Sequence, residues 1–472
     1  MPHTHHPAED TPAGQVPARG PAPARGAARR LVGVDAARGI ALLGMMSVHI
    51  LPSWDPETFE ATAQWTVFSG RAAALFAFLA GVGLAFTSGG RRVHEGRRRT
   101  GDRVGLLVRA LLIAVLGLLI NQTSPDDPPA YNILVYYGVF FLLAIPFLHL
   151  SARALLAWAA GFAVLGPVLI HALGPVLPGF DSYNPTVADV LTAPGTTLAQ
   201  LLLTGSYPAL TYLVYLLAGL AVGRLPLAER RTQLGLLVGG AVLAAGAALV
   251  SWLLLHPLGG MERLLDASPF LGREDVQDIL VWGPDPVLPT STWWWLAVDG
   301  PHTNTPLALL GGVGTGALAL GLCLLVARRA EALLLPLVAA GSMTLTLYSA
   351  HLLALNLEVH YEQPVLWFLV QAAAAVGFAV LWRRSRGQGP LERGVSRASH
   401  AAAFGAHQFV GSPARRCSIK AICGQPGSAI RSRASIGRFS GAPPAAPPGA
   451  VSVWNTTSRS ALAATRSRAR SG

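Results

Sequence analysis

The sequence predicts an all-α, polytopic membrane helix bundle with about ten transmembrane helices and both termini cytoplasmic. Three observations carry this expectation. Of 472 residues, 52% are hydrophobic and 13% charged, about half the charged share of a soluble domain. Apolar runs long enough to cross a bilayer recur along the chain. Arginine accumulates in alternate connections, as the cytoplasmic loops of membrane proteins require.

The runs occupy 33–51, 65–87, 104–120, 131–148, 153–174, 198–223, 233–256, 305–327, 333–355 and 363–382. The first follows Arg29 and Arg30 like the start of a signal peptide, but Asp35 and Arg38 interrupt it and no small-residue cleavage site follows at Pro52-Ser53-Trp54. It reads as a retained helix. Arg91, Arg92 and Arg97 to Arg99 separate the second and third runs, and Arg224, Arg230 and Arg231 follow the sixth. Arg328 and Arg329 follow the eighth run, and Arg383 and Arg384 the last. All these arginines share one side if both termini are cytoplasmic. The opposite connections agree: 121–130 holds Asp126 and Asp127, and 175–197 has neither Lys nor Arg. The longest outer connection, 257–304, carries Trp293, Trp294 and Trp295, an aromatic cluster suited to the membrane interface, and is expected to lie over the bundle as a lid.

The formal charge of +12 resembles a nucleic-acid signal, but its position argues otherwise. From Arg386 onward there are 13 basic residues against Glu392 alone, and the preceding chain has 23 of each sign. Three regions result: 1–30, a disordered cytoplasmic extension rich in Pro, Ala and His; 31–385, the transmembrane domain; and 386–472, a basic, low-complexity disordered tail. The tail could attract anionic lipid, or be a structureless extension without specific work. No nucleic-acid partner is expected. Cys323, Cys417 and Cys423 make no disulfide framework, the tail pair lacks further zinc ligands, and His3, His5 and His6 could bind a metal only adventitiously. No structural metal is expected.

Ionisable side chains within spans are costly and therefore candidates for function. Asp35, Arg38, Leu42, Met45 and His49 follow a three-four spacing along one face of the first helix. Asp35 and Arg38 sit near the cytoplasmic end and His49 near the outer end, about 21 Å away by helix rise. The structural alternative for Asp35 and Arg38 is a self-neutralising ion pair, and for His49 an interfacial histidine. Topology brings Arg71, Tyr136, Tyr137, Tyr207, His302 and His351 to the same outer level. Histidine exchanges protons near neutral pH and arginine stays charged, so the group suits an acid/base site with an anion-stabilising partner. Arg71 alone could instead snorkel to the headgroups.

The segment Leu31-Val-Gly-Val-Asp35-Ala-Ala-Arg38-Gly39-Ile-Ala-Leu-Leu resembles the opening helix of the heparan-α-glucosaminide N-acetyltransferase catalytic family and its bacterial YeiB-like branch. Ser69-Gly70-Arg71 through Phe76 to Gly81-Val-Gly83 looks like that family's next helix. His302-Thr-Asn-Thr-Pro306, Ser342-Met-Thr-Leu-Thr-Leu-Tyr348-Ser-Ala-His351 and Gly389-Pro-Leu-Glu392 look like the YeiB-like branch, and the resemblance covers about 31–392. One departure stands out: the eukaryotic members' His-x-x-Trp-Asn-Gly stretch is missing after the first helix, where Ser53-Trp54-Asp55-Pro56 stands. Their catalytic histidine therefore cannot be transferred by position. His49 instead resembles the histidine that closes the first helix in the wider membrane acyltransferase group.

The resemblance implies transfer of an acyl group, typically acetyl, from cytoplasmic acyl-CoA to an amine or hydroxyl of a glycan or lipid-linked sugar on the far side of the plasma membrane. His49 is then expected as general base, with His302 or His351 assisting and Arg71 stabilising the oxyanion. Asp35 and Arg38 are expected at the cofactor site, where Arg38 or the arginines at 91–99 meet the phosphates of acetyl-CoA. The lipid bilayer is a partner, and a homodimer is left open. The rival reading is a transporter or flippase whose pathway is lined by the same polar residues; a third is a scaffold or sensor in which they only hold helices together.

Overall fold

In the computed structural model, which describes residues 31–125, 127–285 and 287–409, all ten apolar runs are helical. The first is α1 (Val32–Ile50). The second is a pair, α2 (Ala63–Phe68) and α3 (Arg71–Thr87), separated by Gly70 with φ of 68°. Then come α4 (Gly96–Asn121), α5 (Leu134–Ala144) and α6 (Ala152–Leu173). The sixth run is bent. Short α7 (Val187–Thr192) leads into α8 (Pro194–Ala199), which continues through a wider turn to Thr204 and meets α9 (Ala209–Val222) at 48°. Next are α10 (Arg230–Leu255), the loop helices α11 (Gly260–Ala267) and α12 (Arg273–Trp282), and α13 (Pro306–Ala327). The ninth run is also broken, α14 (Leu335–Gly341) meeting α15 (Thr344–Leu355) at 68°; α16 (Pro364–Arg386) and α17 (Pro390–Phe409) complete the described chain.

By length and composition six helices can cross a membrane, or up to eight if each bent pair is one span. The difference from the expected ten is α1 and α5. Asp35, Arg38 and His49 lower the hydropathy of α1, and α5 has only 11 residues. Both are held within protein instead. Ala36, Ala37, Ala41 and Leu42 of α1 are fully buried against α3, α13 and α14. The approach to α14 is close enough to require glycine on both sides: a Cβ on Gly39 would strike the Leu337 carbonyl, and one on Gly341 the Asp35 carbonyl. By contrast α16 buries only Ala379, so its sides are free to face lipid.

Two polar clusters fix the connections. Asn132 donates to Asn121 Oδ1 at 2.7 Å and its backbone N–H to Asn184 Oδ1 at 2.7 Å, tying the α4–α5 and α6–α7 loops together inside the protein. At the opposite end of α4, Arg224 is buried. Its guanidinium donates to the carbonyls of Ala85 (3.2 Å), Gly90 (2.7 Å) and Leu148 (2.6 Å) and to Ser88 Oγ (2.9 Å). Its Nη1 and Nη2 groups each find two acceptors, and Nε is left without a hydrogen-bond partner among the described residues.

The connection 257–304 has its own small core of Met261, Leu264, Val276, Trp295 and Val298. Its three tryptophans divide: Trp295 is buried, Trp294 lies under Arg263 at 4.5 Å, and Trp293 is exposed. The tail departs from expectation over its first part. Residues 390–409 form a helix that packs on α4 and α15, with Ser399 and Ala403 beside Gly105. Composition averaged over a long basic stretch hides this amphipathic segment. Residues 1–30 and 410–472, with Cys417, Cys423 and the early histidines, lie outside the described residues.

Candidate active site

One face of α1 carries Arg38, Met45 and His49, because a 3.6-residue repeat stacks them along the helix; Arg38 and Met45 open on a cavity at one end. At its first end Arg38 pairs with Asp35 at 3.1 Å and donates to the Leu79 carbonyl at 3.4 Å. Arg38 and Met45 line a cavity of about 270 Å³ together with Arg109, Tyr137, Tyr348 and Glu392. Arg109 was not singled out from the sequence, although an arginine inside the apolar run 104–120 was signal enough. It comes from α4 and makes no hydrogen bond or ion pair with a described residue.

Glu392 closes this cavity from α17. Its carboxylate accepts from the Thr346 backbone N–H at 3.0 Å and from Thr346 Oγ1 at 2.6 Å. Thr346 lies in the first turn of α15, where backbone N–H groups lack helical partners, so Glu392 caps the half-helix created by the break. Gly389 permits the approach, because a Cβ there would meet the Glu392 carboxylate and Met343. Thus the Gly389-Pro-Leu-Glu392 segment serves as a clasp on the broken span.

His49, one turn beyond Met45, meets His351 of α15. His49 Nδ1 lies 3.1 Å from His351 Nε2, and the rings are parallel within 4°. His351 Nδ1 lies 2.9 Å from Gln371 Oε1. Gln371 was missed from the sequence, yet it is the only amide or ionisable side chain from Val365 to Leu381 of an otherwise apolar helix. Tyr348, on the wall of the Arg38 cavity, packs on His351 with centroids 6.4 Å apart. The bend between α14 and α15 is what turns Tyr348 and His351 toward α1. His302 and His360 lie within electrostatic reach of His49. His360, also missed, is buried in the α15–α16 loop, where burial pushes its pKa down.

Arg71 is placed differently. It lines a second cavity, of about 310 Å³, with Trp65, Tyr215, Asp299, His302 and Asn304, and its guanidinium donates to the Thr66 carbonyl. Burial pushes the Asp299 carboxyl up, and Arg71 opposes that shift. His302 adopts a left-handed φ of 56° before α13, whose start is capped by Thr305 Oγ1 accepting from Ala308 N at 3.2 Å. The His302 ring packs edge-on against Tyr207, whose hydroxyl donates to the Tyr131 carbonyl at 3.2 Å. The 257–304 connection supplies Leu280 and Val281 to the same cavity, and Trp65 Nε1 donates to the Val281 carbonyl at 3.0 Å. The structure therefore joins His49 to His351 and Arg71 to His302, with His302 near both groups. No group of three or more His, Cys, Asp or Glu able to hold a metal occurs among the described residues.

One helix face thus runs from a paired arginine to a hydrogen-bonded histidine couple. Residues 30–256 match the model of the family described as heparan-alpha-glucosaminide N-acetyltransferase, catalytic. None of the curated proteins matches the chain. The matched region contains Asp35, Arg38, His49, Arg71 and Arg109; His302, His351, His360 and Gln371 come from the chain beyond it. The protein is thus a multi-pass helical membrane protein in which residues 30–256 are similar to that family's catalytic region.

Proposed function

We propose that this chain is an integral membrane acyltransferase that carries an acyl group, in the first instance acetyl, from acyl-CoA in the cytoplasm to a sugar or glycan acceptor on the outer side of the plasma membrane. The observation that carries the reading is the His49–His351 couple lying one helical turn from the wall of a doubly arginine-lined cavity and within reach of His302 in the second cavity. Counting α1 and α5 as crossings gives ten, and the arginine-rich connections then face the cytoplasm together with both termini.

In this reading the Arg38 cavity takes the donor. Arg38 and Arg109 meet its phosphates, with Asp35 orienting Arg38, and the pantetheine arm runs along α1 past Met45 toward His49. The Arg71 cavity takes the acceptor. Trp65 offers a face for a sugar ring, and Asp299 and Asn304 offer polar partners for its hydroxyl or amino groups. His49 removes a proton from the acceptor oxygen or nitrogen as that atom attacks the thioester carbonyl. The carbonyl oxygen becomes negative, and Arg71 and His302 supply positive charge and hydrogen-bond donation on that side. Collapse of the intermediate breaks the carbon–sulfur bond, releases the CoA thiolate and returns the proton from His49 to it.

The test adds labelled acetyl-CoA to the cytoplasmic side of vesicles that contain the wild-type protein or His49→Ala and follows label into lumenal glycan and lipid. Transfer by the wild type, reduced on the order of 10²-fold or more by His49→Ala, is expected. A folded wild-type protein that transfers nothing would sink the acetyl-transfer reading. A transporter remains the second reading because two spans are broken, by 48° and 68°, a feature that transport sites share; it requires substrate movement without any acyl-CoA.

A further inference from the structure

We infer that Gln371 is a positioning residue that fixes the tautomers of His351 and His49 so that Nε2 of His49 is the free basic nitrogen. The inference rests on the acyltransferase reading for its catalytic meaning, but the proton arrangement stands on geometry alone.

With Gln371 Oε1 turned toward His351, the chain of hydrogen bonds runs one way. The Gln371 Oε1 atom is an acceptor, so His351 Nδ1, at 2.9 Å, must donate a proton to it. A neutral imidazole carries one ring proton, which leaves a lone pair on His351 Nε2. That lone pair faces His49 Nδ1 at 3.1 Å, so His49 carries its proton on Nδ1 and donates it. His49 Nε2 is then bare. It has no hydrogen-bond partner among the described residues, and His49 remains partly exposed where His351 is buried. The Nδ1-protonated form is the tautomer that a free histidine side chain disfavours, so an external partner must select it.

Gln371 is suited to this task by its surroundings. Between Val365 and Leu381 it is the lone amide or ionisable group in an apolar helix, where an unsatisfied amide is costly, so its bond to His351 is strongly held. Its amide also brings no charge. A carboxylate in its place would orient the rings equally well while adding a negative charge at membrane depth. When His49 Nε2 accepts a proton from the acceptor, the positive charge on its ring strengthens the donation from Nδ1 to His351. No proton need leave His351. The couple therefore acts through a single nitrogen, with its partners as fixed orienting groups.

The experiment is nitrogen-15 NMR of histidine-labelled protein in lipid vesicles, with His49 and His351 assigned by His49→Ala and His351→Ala, combined with the acetyl-transfer assay. Wild-type His49 is expected to show a protonated Nδ1 and an unprotonated Nε2. In Gln371→Met, which keeps the length and removes the acceptor, the other tautomer should appear, and transfer should fall on the order of 10²-fold. Gln371→Glu keeps an acceptor oxygen and should retain the wild-type tautomers, with the acid limb of the pH–rate profile moved to higher pH because a carboxylate favours the protonated pair. A proton on His49 Nε2 in the wild type would overturn the inference, as would unchanged tautomers in folded Gln371→Met. If the tautomers respond as expected but no variant, wild type included, transfers acetyl, the arrangement of protons stands and the acyltransferase reading fails.

Discussion

Replacing Arg109 by methionine should weaken coenzyme A binding and, at the same time, stabilise the ligand-free protein. Both effects follow from where its charge lies. Arg109 and Arg38 line one cavity of about 270 Å³ and repel each other. Arg38 is neutralised by Asp35 at 3.1 Å, whereas Arg109 has no ion pair among the described residues; Glu392 acts on it from nearby, but its two oxygens are engaged by Thr346. An arginine held without a partner in such a wall destabilises the empty protein and is compensated when an anion enters. A charge-assisted hydrogen bond to a phosphate contributes about 1.5–3 kcal/mol, which corresponds to a Kd weakened roughly 10- to 150-fold. Calorimetric titration of coenzyme A into the protein in lipid nanodiscs reads this directly, and the wild-type affinity should fall with salt more steeply than that of the variant. Thermal unfolding without ligand reads the opposite sign. A Kd within twofold of wild type together with a lower Tm would show that Arg109 serves packing, and the donor assignment of this cavity would lose its main support.

Arg224→Met removes the donor to the Gly90 and Leu148 carbonyls and should cost about 4 kcal/mol, two buried acceptors at about 1–3 kcal/mol each plus partial loss of packing; a loss below about 1 kcal/mol in denaturant unfolding would mean that water replaces the guanidinium. Glu392→Ala uncaps α15 and should lower stability by about 1 kcal/mol while speeding exchange of the Thr346 amide, whereas Glu392→Gln keeps an acceptor and should lose less. His149, outside the spans, donates at 2.9 Å to Asp102 Oδ2, which also accepts from His94 at 2.9 Å. Burial lowers the His149 pKa from 6.5 and the Asp102 contact only partly offsets this. The folded protein therefore binds that proton more weakly than the unfolded chain, so stability should decline as pH falls below 6.5, and His149→Gln should flatten the decline.

Helical crossing segments, the arginine pattern and the shared face of Asp35, Arg38, Met45 and His49 were legible in the sequence because each depends on local composition or on the 3.6-residue period. The opening-helix motif was equally local, and it matched a family. Gln371 was also visible, as a lone amide in an apolar helix, but its meaning required the partner that α15 brings to it. Arg224 illustrates the reverse: it read as a topology signal, and folding buried it as a bolt between four acceptors. Helix α17 was hidden because a short amphipathic pattern disappears within the average of a long basic tail.

The sequence by itself therefore determined that this chain forms membrane-length helices, where the costly polar groups lie along each helix, and how far apart His49 and Arg38 stand on α1. Hydrophobicity and helix rise are properties of neighbouring residues, and no further information is needed for them. Only the tertiary structure decided which groups meet. His49 and His351 are 302 positions apart and touch, while Arg71, at the same expected level, joins His302 and Asp299 in another cavity. Depth in the membrane is set by distance along a helix, but contact is set by the rotation and crossing of helices, which depend on packing at sites such as Gly39 and Gly341 and on the bend before α15.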